Sequence, residues 1–166
     1  MLEKKKAKYI YSLKFREVFV DLVEDMDCKV SERAKNIGLN YSTYTSIFDF
    51  GKIPKPQILI RISDYFKISI ENLLGRSTEI SYEETAERSN FNERLTILKE
   101  KHSLTDYKIA QKLHIETNYI TNWRQNNYTP CFDYLITLTD IFKVTLDYLL
   151  GISDDGSKYK SPLDWE

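Results

Sequence analysis

The residue patterns that usually mark an enzyme or a metal site are missing from this sequence of 166 residues. It has two cysteines and two histidines, with no CxxC pair and no His/Cys cluster, so a structural zinc site is not expected. A phosphate-binding loop, an HExxH motif and a catalytic pair of carboxylates are also missing. The adjacent Asp154 and Asp155 lie in a Gly/Ser-containing tail and are interpreted as solvated. We therefore expect no catalysis, no cofactor and no metal.

Long apolar segments are missing as well. No run of about 18 apolar residues occurs, which is the length that indicates a membrane-spanning helix. The N-terminus is basic but lacks the apolar stretch of roughly 7–15 residues that a signal peptide needs. The sequence predicts a cytoplasmic protein with no membrane partner.

Excess charge of one sign is absent from the chain as a whole. The formal net charge is −1 and the pI is about 6.2, values unusual for a strong nucleic-acid binder. Residues 1–14 are an exception, because five lysines stand against one glutamate. Such a terminus is either a solvated, disordered segment or an arm that contacts DNA phosphates. Both interpretations stay open.

The sequence repeats itself at an offset of 76 residues. Residues 15–75 align with 91–151 without a gap and end on the matching strings DYFKISIENLLG and DIFKVTLDYLLG. This period is too long for a solenoid unit and suits a small domain. The sequence therefore predicts two copies of one fold. Five segments follow: a basic arm at 1–14, domain 1 at 15–75, a polar linker at 76–90, domain 2 at 91–151 and a tail at 152–166.

Apolar residues recur at helical spacing in both copies, which predicts an all-α protein with five helices in each copy. The first helix of copy 1 places Phe15, Phe19 and Val23 on one face, and its counterpart has Arg94 and Lys99 at the flanks. A short strand at Tyr9–Tyr11 is the one β element that the pattern allows. The later helices are predicted at 30–37, 40–49, 56–66 and 69–74 in copy 1, and at 106–113, 116–125, 132–142 and 145–150 in copy 2.

The third helix of each copy follows a tight turn. Gly38 and His114 are predicted to take the left-handed conformation that ends the second helix. Asn40 and Thr117 are suitable N-caps for the third helix. Its inward positions are Tyr44 and Ile47 in copy 1 and Ile120 and Trp123 in copy 2, so we expect Trp123 to be buried.

Residues 104–130, LTDYKIAQKLHIETNYITNWRQNNYTP, resemble the helix-turn-helix of the lambda-repressor/Cro family of DNA-binding domains. The ending FKVTLDYLLG resembles the fifth helix of that family, and the resemblance extends over 15–75 and 91–151. It implies two tandem five-helix lambda-repressor-like helix-turn-helix domains that bind double-stranded DNA. The matching positions are Leu104, Thr105, Ala110, Ile115, Ile120, Trp123 and Pro130.

The resemblance implies that the third helix of each copy enters the major groove, which is roughly 12 Å wide. Asn bonds adenine well, and Ser and Thr are tolerant readers of base edges. Without the resemblance, a polar helix face is simply solvated. The candidate reading residues are Tyr41, Ser42, Thr43, Thr45 and Ser46 in copy 1 and Thr117, Asn118, Tyr119, Thr121 and Asn122 in copy 2. The candidate phosphate contacts are the basic Lys52, Lys55 and Arg124 and the neutral Asn126, Asn127 and Tyr128.

Both copies depart from the family pattern. At the start of the second helix, where the family commonly has Gln, the residues are Val30 and Asp106. We expect Asp106 to oppose DNA phosphates. Copy 1 also has Ile47 in place of the tryptophan and Arg33 where copy 2 has an isoleucine.

Three functional hypotheses fit the sequence. The leading one is a sequence-specific transcriptional regulator, specifically a repressor, whose two units occupy successive major grooves about 34 Å apart. The alternative is a protein-interaction scaffold that kept the fold and lost DNA binding, which the acidic pI, Asp106 and the tyrosines at 41, 119, 128 and 159 favour. A third has copy 2 as the DNA reader and copy 1 as the module of a homodimer.

Overall fold

The computed structural model describes residues 9–78, 82–83, 85 and 87–156. Residues 1–8 of the expected arm, and the end of the expected tail with Tyr159, lie outside the described residues. Within the described part, regular secondary structure is helical apart from one isolated β-bridge, so the predicted all-α fold class is confirmed. No helix in this part combines the length and the apolar character needed to cross a membrane.

The chain divides into two compact units, Met1–Tyr82 and Glu83–Glu166. Four of the five helices in unit 2 begin 76 residues after their counterparts in unit 1. The tandem-domain organisation with boundaries at 15–75 and 91–151 stays a proposal. Unit 1 contains α1 (Leu13–Glu24), α2 (Val30–Ile37), α3 (Tyr41–Phe50), α4 (Pro56–Phe66) and α5 (Ile70–Leu73), and unit 2 contains α6 (Phe91–Lys101), α7 (Asp106–Leu113), α8 (Thr117–Gln125), α9 (Phe132–Phe142) and α10 (Leu146–Leu149).

The turns before α3 and α8 have the predicted left-handed residues, with φ of 78° at Gly38 and 55° at His114. The Asn40 side chain accepts a hydrogen bond from the Thr43 amide at 2.7 Å, which confirms its role as an N-cap. The prediction of Thr117 as an N-cap is wrong. Its backbone is already helical, and the cap position belongs to the extended Glu116, whose side chain makes no capping bond.

The core of unit 1 forms where α1 packs against α3. Phe15, Phe19 and Val23 of α1 are buried, as their spacing predicts. The ring of Phe19 meets the ring of Tyr44 edge-on, with centroids 5.7 Å apart, and Ile47 is fully buried beside them. One face of α3 is therefore fixed against α1.

The core of unit 2 is centred on Trp123. Its side chain is 3% exposed, which confirms the predicted burial. The indole lies between the rings of Phe91 and Tyr134, at centroid distances of 6.0 and 5.8 Å. Ile120, one turn earlier on α8, is fully buried. These contacts hold the inward face of α8 against α6 and α9.

Arg94, which the sequence places at a flank of the apolar face of α6, is a buried cation with partners of its own. The residue is 8% exposed, its guanidinium forms an ion pair with Asp154, and its Nη2 donates to the Ser153 carbonyl at 3.3 Å. The same group lies 4.4 Å from the centre of the Tyr148 ring. The side chain of Asp154 is 73% exposed, in line with its interpretation as solvated, and its carboxylate also joins the start of the tail to α6.

The predicted strand at Tyr9–Tyr11 is reduced to a single antiparallel bridge between Tyr11 and Lys52. The Ser12 amide donates to the Gly51 carbonyl at 2.9 Å. Gly51 is in the left-handed region with φ of 64°, and a Cβ there would lie 2.3 Å from the Ser12 carbonyl oxygen. Only glycine fits this close approach between the N-terminal segment and the end of α3.

Candidate nucleic-acid interface

Each unit contains two short helices joined by a turn of three residues. In unit 2 the Ile115 amide donates to the Ala110 carbonyl at 3.0 Å, and in unit 1 the Leu39 amide donates to the Ala34 carbonyl at 2.8 Å. Both alanines are buried, so the helices approach closely at these positions. The turns set the directions in which α3 and α8 leave α2 and α7.

The outward face of α8 is polar. Asn118, Tyr119 and Asn122 are exposed, whereas Thr117 and Thr121 are half-buried. A surface depression of about 430 Å³ lies on this face, lined by Asn118, Tyr119, Thr121, Asn122 and Gln125. The structure therefore brings four of the predicted residues together. Gln125 was not among the residues predicted from the sequence, although its position four residues after Thr121 and seven after Asn118 indicates the same helix face.

Hydrogen bonds along α8 already engage part of this polar face. The side-chain nitrogen Nδ2 of Asn126 donates to the side-chain oxygen of Asn122 and, at 3.2 Å, to the backbone carbonyl of Asn122. The Thr121 hydroxyl donates to the Thr117 carbonyl at 3.4 Å. For the Asn118 side chain the described part provides no hydrogen-bond partner. The donor and the acceptor of the Asn118 side-chain amide are therefore both available to bond a base.

The outward face of α3 has a different chemistry. Tyr41 at its start is 76% exposed and Ser42 is exposed, whereas Thr43, Thr45 and Ser46 are half-buried. The Thr45 hydroxyl donates to the Ser42 carbonyl at 3.2 Å. The predicted reading residues of this face offer hydroxyl groups and one aromatic ring, and no amide side chain.

The inner side of α3 contains an unusual buried pair. Arg33 and Tyr44 stand at the positions that Ile109 and Ile120 occupy in unit 2. Nε of Arg33 and the Tyr44 hydroxyl oxygen are buried, and neither makes a hydrogen bond of good geometry within the described part. Burial raises the pKa of the Tyr44 hydroxyl, and the Arg33 guanidinium opposes part of that rise. The surface on which α3 packs is therefore more polar than the surface on which α8 packs.

The predicted basic contacts of unit 1 lie in the loop between α3 and α4. Lys55 is exposed at the N-cap position of α4. Lys52 is half-buried, and its Nζ lies 3.6 Å from the centre of the Tyr9 ring. Lys52 already has a cation–π partner, so Lys55 is the more available of the two cations.

Asp106 is paired with two cations. One carboxylate oxygen contacts Nζ of Lys99 on α6, and the other contacts Nη2 of Arg124 on α8. The sequence indicated only a negative charge at the start of α7. The three residues carry a combined charge of +1, so the site as a whole does not repel an anion.

A polar residue at the same repeat position anchors the end of α3 and the loop after α8. Arg16 of α1 donates from Nε to the carbonyls of Phe48 and Asp49, at 2.8 and 3.2 Å. Asn92 of α6 donates to the Asn127 side-chain oxygen at 3.1 Å and to the Tyr128 carbonyl at 3.4 Å. Asn127, a predicted phosphate contact, is exposed and has a φ of 46°. Neither anchor was predicted from the sequence.

Part of this chain is similar to two regulators of Bacillus subtilis (strain 168). It is 32% identical over 63 residues to the uncharacterized HTH-type transcriptional regulator YobD, a match covering 38% of this chain and 56% of that protein. It is 30% identical over 74 residues to the HTH-type transcriptional regulator ImmR, covering 45% of this chain and 58% of that protein. The resemblance to the helix-turn-helix family is confirmed.

The chain spans between half and two thirds of the length of these relatives. No protein-family model and no solved structure matches it. Within each unit, the candidate helix-turn-helix consists of the two helices joined by the three-residue turn, namely α2–α3 and α7–α8. The presence of two tandem copies stays a prediction. The outward faces of α3 and α8 are the candidate reading faces. In the described residues, no group of three or more His, Cys, Asp and Glu side chains is placed to hold a metal ion.

Proposed function

We propose that this chain is a sequence-specific DNA-binding transcriptional regulator, acting as a repressor, that places α3 and α8 in successive major grooves. The observation that carries the proposal is the outward face of α8. A shallow depression there is lined by Asn118, Thr121 and Asn122. The opposite face of α8 is buried in the core through Ile120 and Trp123. A polar helix face held rigidly away from its own core fits a major groove.

The chemistry of the two reading faces predicts different base preferences. The amide of Asn118 is suited to the N6 and N7 edge of adenine, and the methyl group of Thr121 is suited to the methyl group of thymine. The hydroxyl groups of Ser42, Thr43 and Thr45 accept or donate and discriminate less. We therefore expect two non-identical half-sites, with the stronger base preference in the half-site that α8 reads.

Phosphate contacts in the proposed complex are few. The basic candidates are Lys52, Lys55 and Arg124, and Asn127 is a neutral one. Each phosphate that is neutralised contributes about −0.9 to the slope of log affinity against log salt concentration, so three contacts give a slope of about −2.7. Linking two reading units in one chain raises the effective concentration of the second binding event, which offsets the small number of contacts.

The protein-interaction scaffold remains the second candidate because of the aromatic residues on the surface. Tyr41, Tyr107 and Tyr128 are exposed, and tyrosine is enriched at protein interfaces. Catalysis forms no part of either proposal.

The test is selection of bound fragments from random duplex DNA with the full chain, followed by affinity measurements at several salt concentrations. A preferred sequence with two unequal half-sites, bound more weakly as salt rises, supports the regulator. Absence of binding at low salt overturns it in favour of the scaffold. If each chain occupies one half-site, and two associated chains occupy two half-sites, the result favours a homodimer in which only unit 2 reads DNA.

A further inference from the structure

The ion triad of unit 2, formed by Lys99, Asp106 and Arg124, joins three helices through one carboxylate. Asp106 is the first residue of α7, Lys99 lies in the last turn of α6, and Arg124 lies in the last turn of α8. Each cation contacts a different oxygen of the carboxylate. The triad therefore connects the first helix of the helix-turn-helix to the end of its reading helix.

Unit 1 has apolar residues at all three of these positions. At the offset of 76, Lys99 corresponds to Val23, Asp106 to Val30 and Arg124 to Phe48. Unit 1 nevertheless forms its five helices in the same order. A helical unit of this kind does not need the ion triad in order to fold, so the triad calls for an explanation beyond stability.

The two cations of the triad differ in access to solvent. The side chains of Lys99 and Asp106 are each 17% exposed, whereas that of Arg124 is 41% exposed. Arg124 is also the triad member on the reading helix. An approaching anion therefore reaches Arg124 first, while Lys99 stays beside Asp106.

Carboxylate and phosphate compete for the same donors of an arginine. Both accept hydrogen bonds from the planar guanidinium, and both neutralise its charge. When a phosphate takes Arg124, Lys99 still pairs with Asp106, so no uncompensated carboxylate is left facing the DNA. The exchange costs only the ion pair between Asp106 and Arg124, which is partly exposed and therefore weak.

We propose that Asp106 is an internal competitor of the DNA backbone for Arg124, which lowers the affinity of unit 2 for any duplex. This inference rests on the proposed function. The ion pairs of Asp106 are with Lys99 and Arg124 and not with the reading residues Asn118 and Asn122, so it weakens preferred and random sequences by the same factor. It acts on the strength of DNA binding and leaves sequence discrimination unchanged.

The experiment is a double-mutant cycle on DNA affinity in the full chain, with Asp106→Asn, Arg124→Ala and the two combined. Asp106→Asn should tighten binding about two- to fivefold, the range expected for release of an exposed ion pair, on preferred and random duplexes alike. In the Arg124→Ala background the gain should be clearly smaller, because no guanidinium remains to be released and only the less exposed Lys99 loses its partner. Asp106→Gln is measured in parallel in case Asn at this helix start lowers stability.

Asp140→Asn is the matched control. It removes one carboxylate from an ion pair of α9 with Lys143 and changes the net charge equally. Its effect should be smaller than that of Asp106→Asn. The inference is overturned if the gain is as large without Arg124 as with it, if Asp140→Asn gives the same gain, or if discrimination between duplexes falls. If the parent chain and Asp106→Asn both bind no DNA at low salt, the proposed function itself fails.

Discussion

Arg16 and Asn92 occupy the same position in the two repeats, and each anchors the segment where the candidate reading helix of its unit ends. Arg16 holds two carbonyls in the last turn of α3, and Asn92 holds the loop that follows α8. A cation at the C-terminus of a helix also interacts favourably with the helix dipole. The first helix of each unit is therefore bonded to the segment where the third helix ends.

Removing these two anchors should have unequal effects. Arg16→Ala breaks charge-assisted hydrogen bonds to backbone carbonyls and should lower the free energy of unfolding by about 1.5–3 kcal/mol. Asn92→Ala breaks neutral ones and should cost about 0.5–1.5 kcal/mol. Urea denaturation measures both changes. Thr96→Ala, at an exposed site of α6, is the control, and equal losses for all three variants would contradict the assignment.

Trp123 is expected to be a main source of stability in unit 2. Truncation of a buried tryptophan to alanine typically costs about 3–5 kcal/mol, because both packing and burial are lost. Tyr119→Ala, at an exposed site on the same helix, should stay within about 0.5 kcal/mol of the parent. Thermal melting compares the two variants. A Trp123→Ala protein as stable as the parent would show that the indole contributes nothing to the core.

Local patterns in the sequence predicted most of the fold. The bounds of α2, α4, α7 and α9 follow from apolar spacing and from left-handed turn residues such as Gly38, which act over a few neighbouring residues. The pairing of Arg94 was not predicted because its partner Asp154 lies sixty residues further along the chain. A periodic pattern carries no information about such a distant pairing.

The candidate site was predictable to the same extent. The outward residues of α8 follow from helical periodicity, whereas the ion triad and the Tyr9 ring next to Lys52 depend on side chains from separate elements. Asp106 shows the consequence. The sequence displayed its negative charge, and only the fold shows the two cations that neutralise it.

The buried hydroxyl of Tyr44 should make stability fall at alkaline pH. Its pKa is raised in the folded protein, chiefly by burial. As the pH rises above about 10, the unfolded chain releases this proton first, so the free energy of unfolding decreases. Tyr44→Phe should remove that part of the loss between about pH 9 and pH 11. Tyr65→Phe, at an exposed site of α4, is the control in denaturant titrations, and the same alkaline loss in both variants would contradict the assignment.

Tyr44→Phe should also be tolerated at neutral pH. The hydroxyl makes no hydrogen bond of good geometry within the described part, so its removal relieves an unsatisfied buried group. We expect the free energy of unfolding to stay constant or to rise by up to about 1 kcal/mol. A clear loss would mean that Arg33 depends on this oxygen.

Lys52 and Lys55 should contribute unequally to phosphate binding. Loss of one phosphate contact makes the salt slope shallower by about 0.9. Lys55→Ala should change the slope by nearly this amount. Lys52→Ala should change it less, because the ammonium group of Lys52 already interacts with the Tyr9 ring. Affinity for random duplex DNA, measured across salt concentrations, gives both slopes. Lys143→Ala in unit 2 is the control, and two unchanged slopes would exclude this loop from the interface.

Asn118 should provide sequence discrimination without general affinity. It is exposed on α8, it lines the depression, and within the described part its amide has no hydrogen-bond partner that DNA would have to displace. Asn118→Ala should therefore cost about 1–3 kcal/mol at the preferred site and leave binding to random DNA nearly unchanged. Asn122→Ala should cost less, because its side-chain oxygen already accepts a hydrogen bond from Asn126. Affinities for the preferred duplex and for one with a single changed base pair measure both effects. Equal losses on preferred and random DNA would identify Asn118 as a backbone contact instead of a reader of bases.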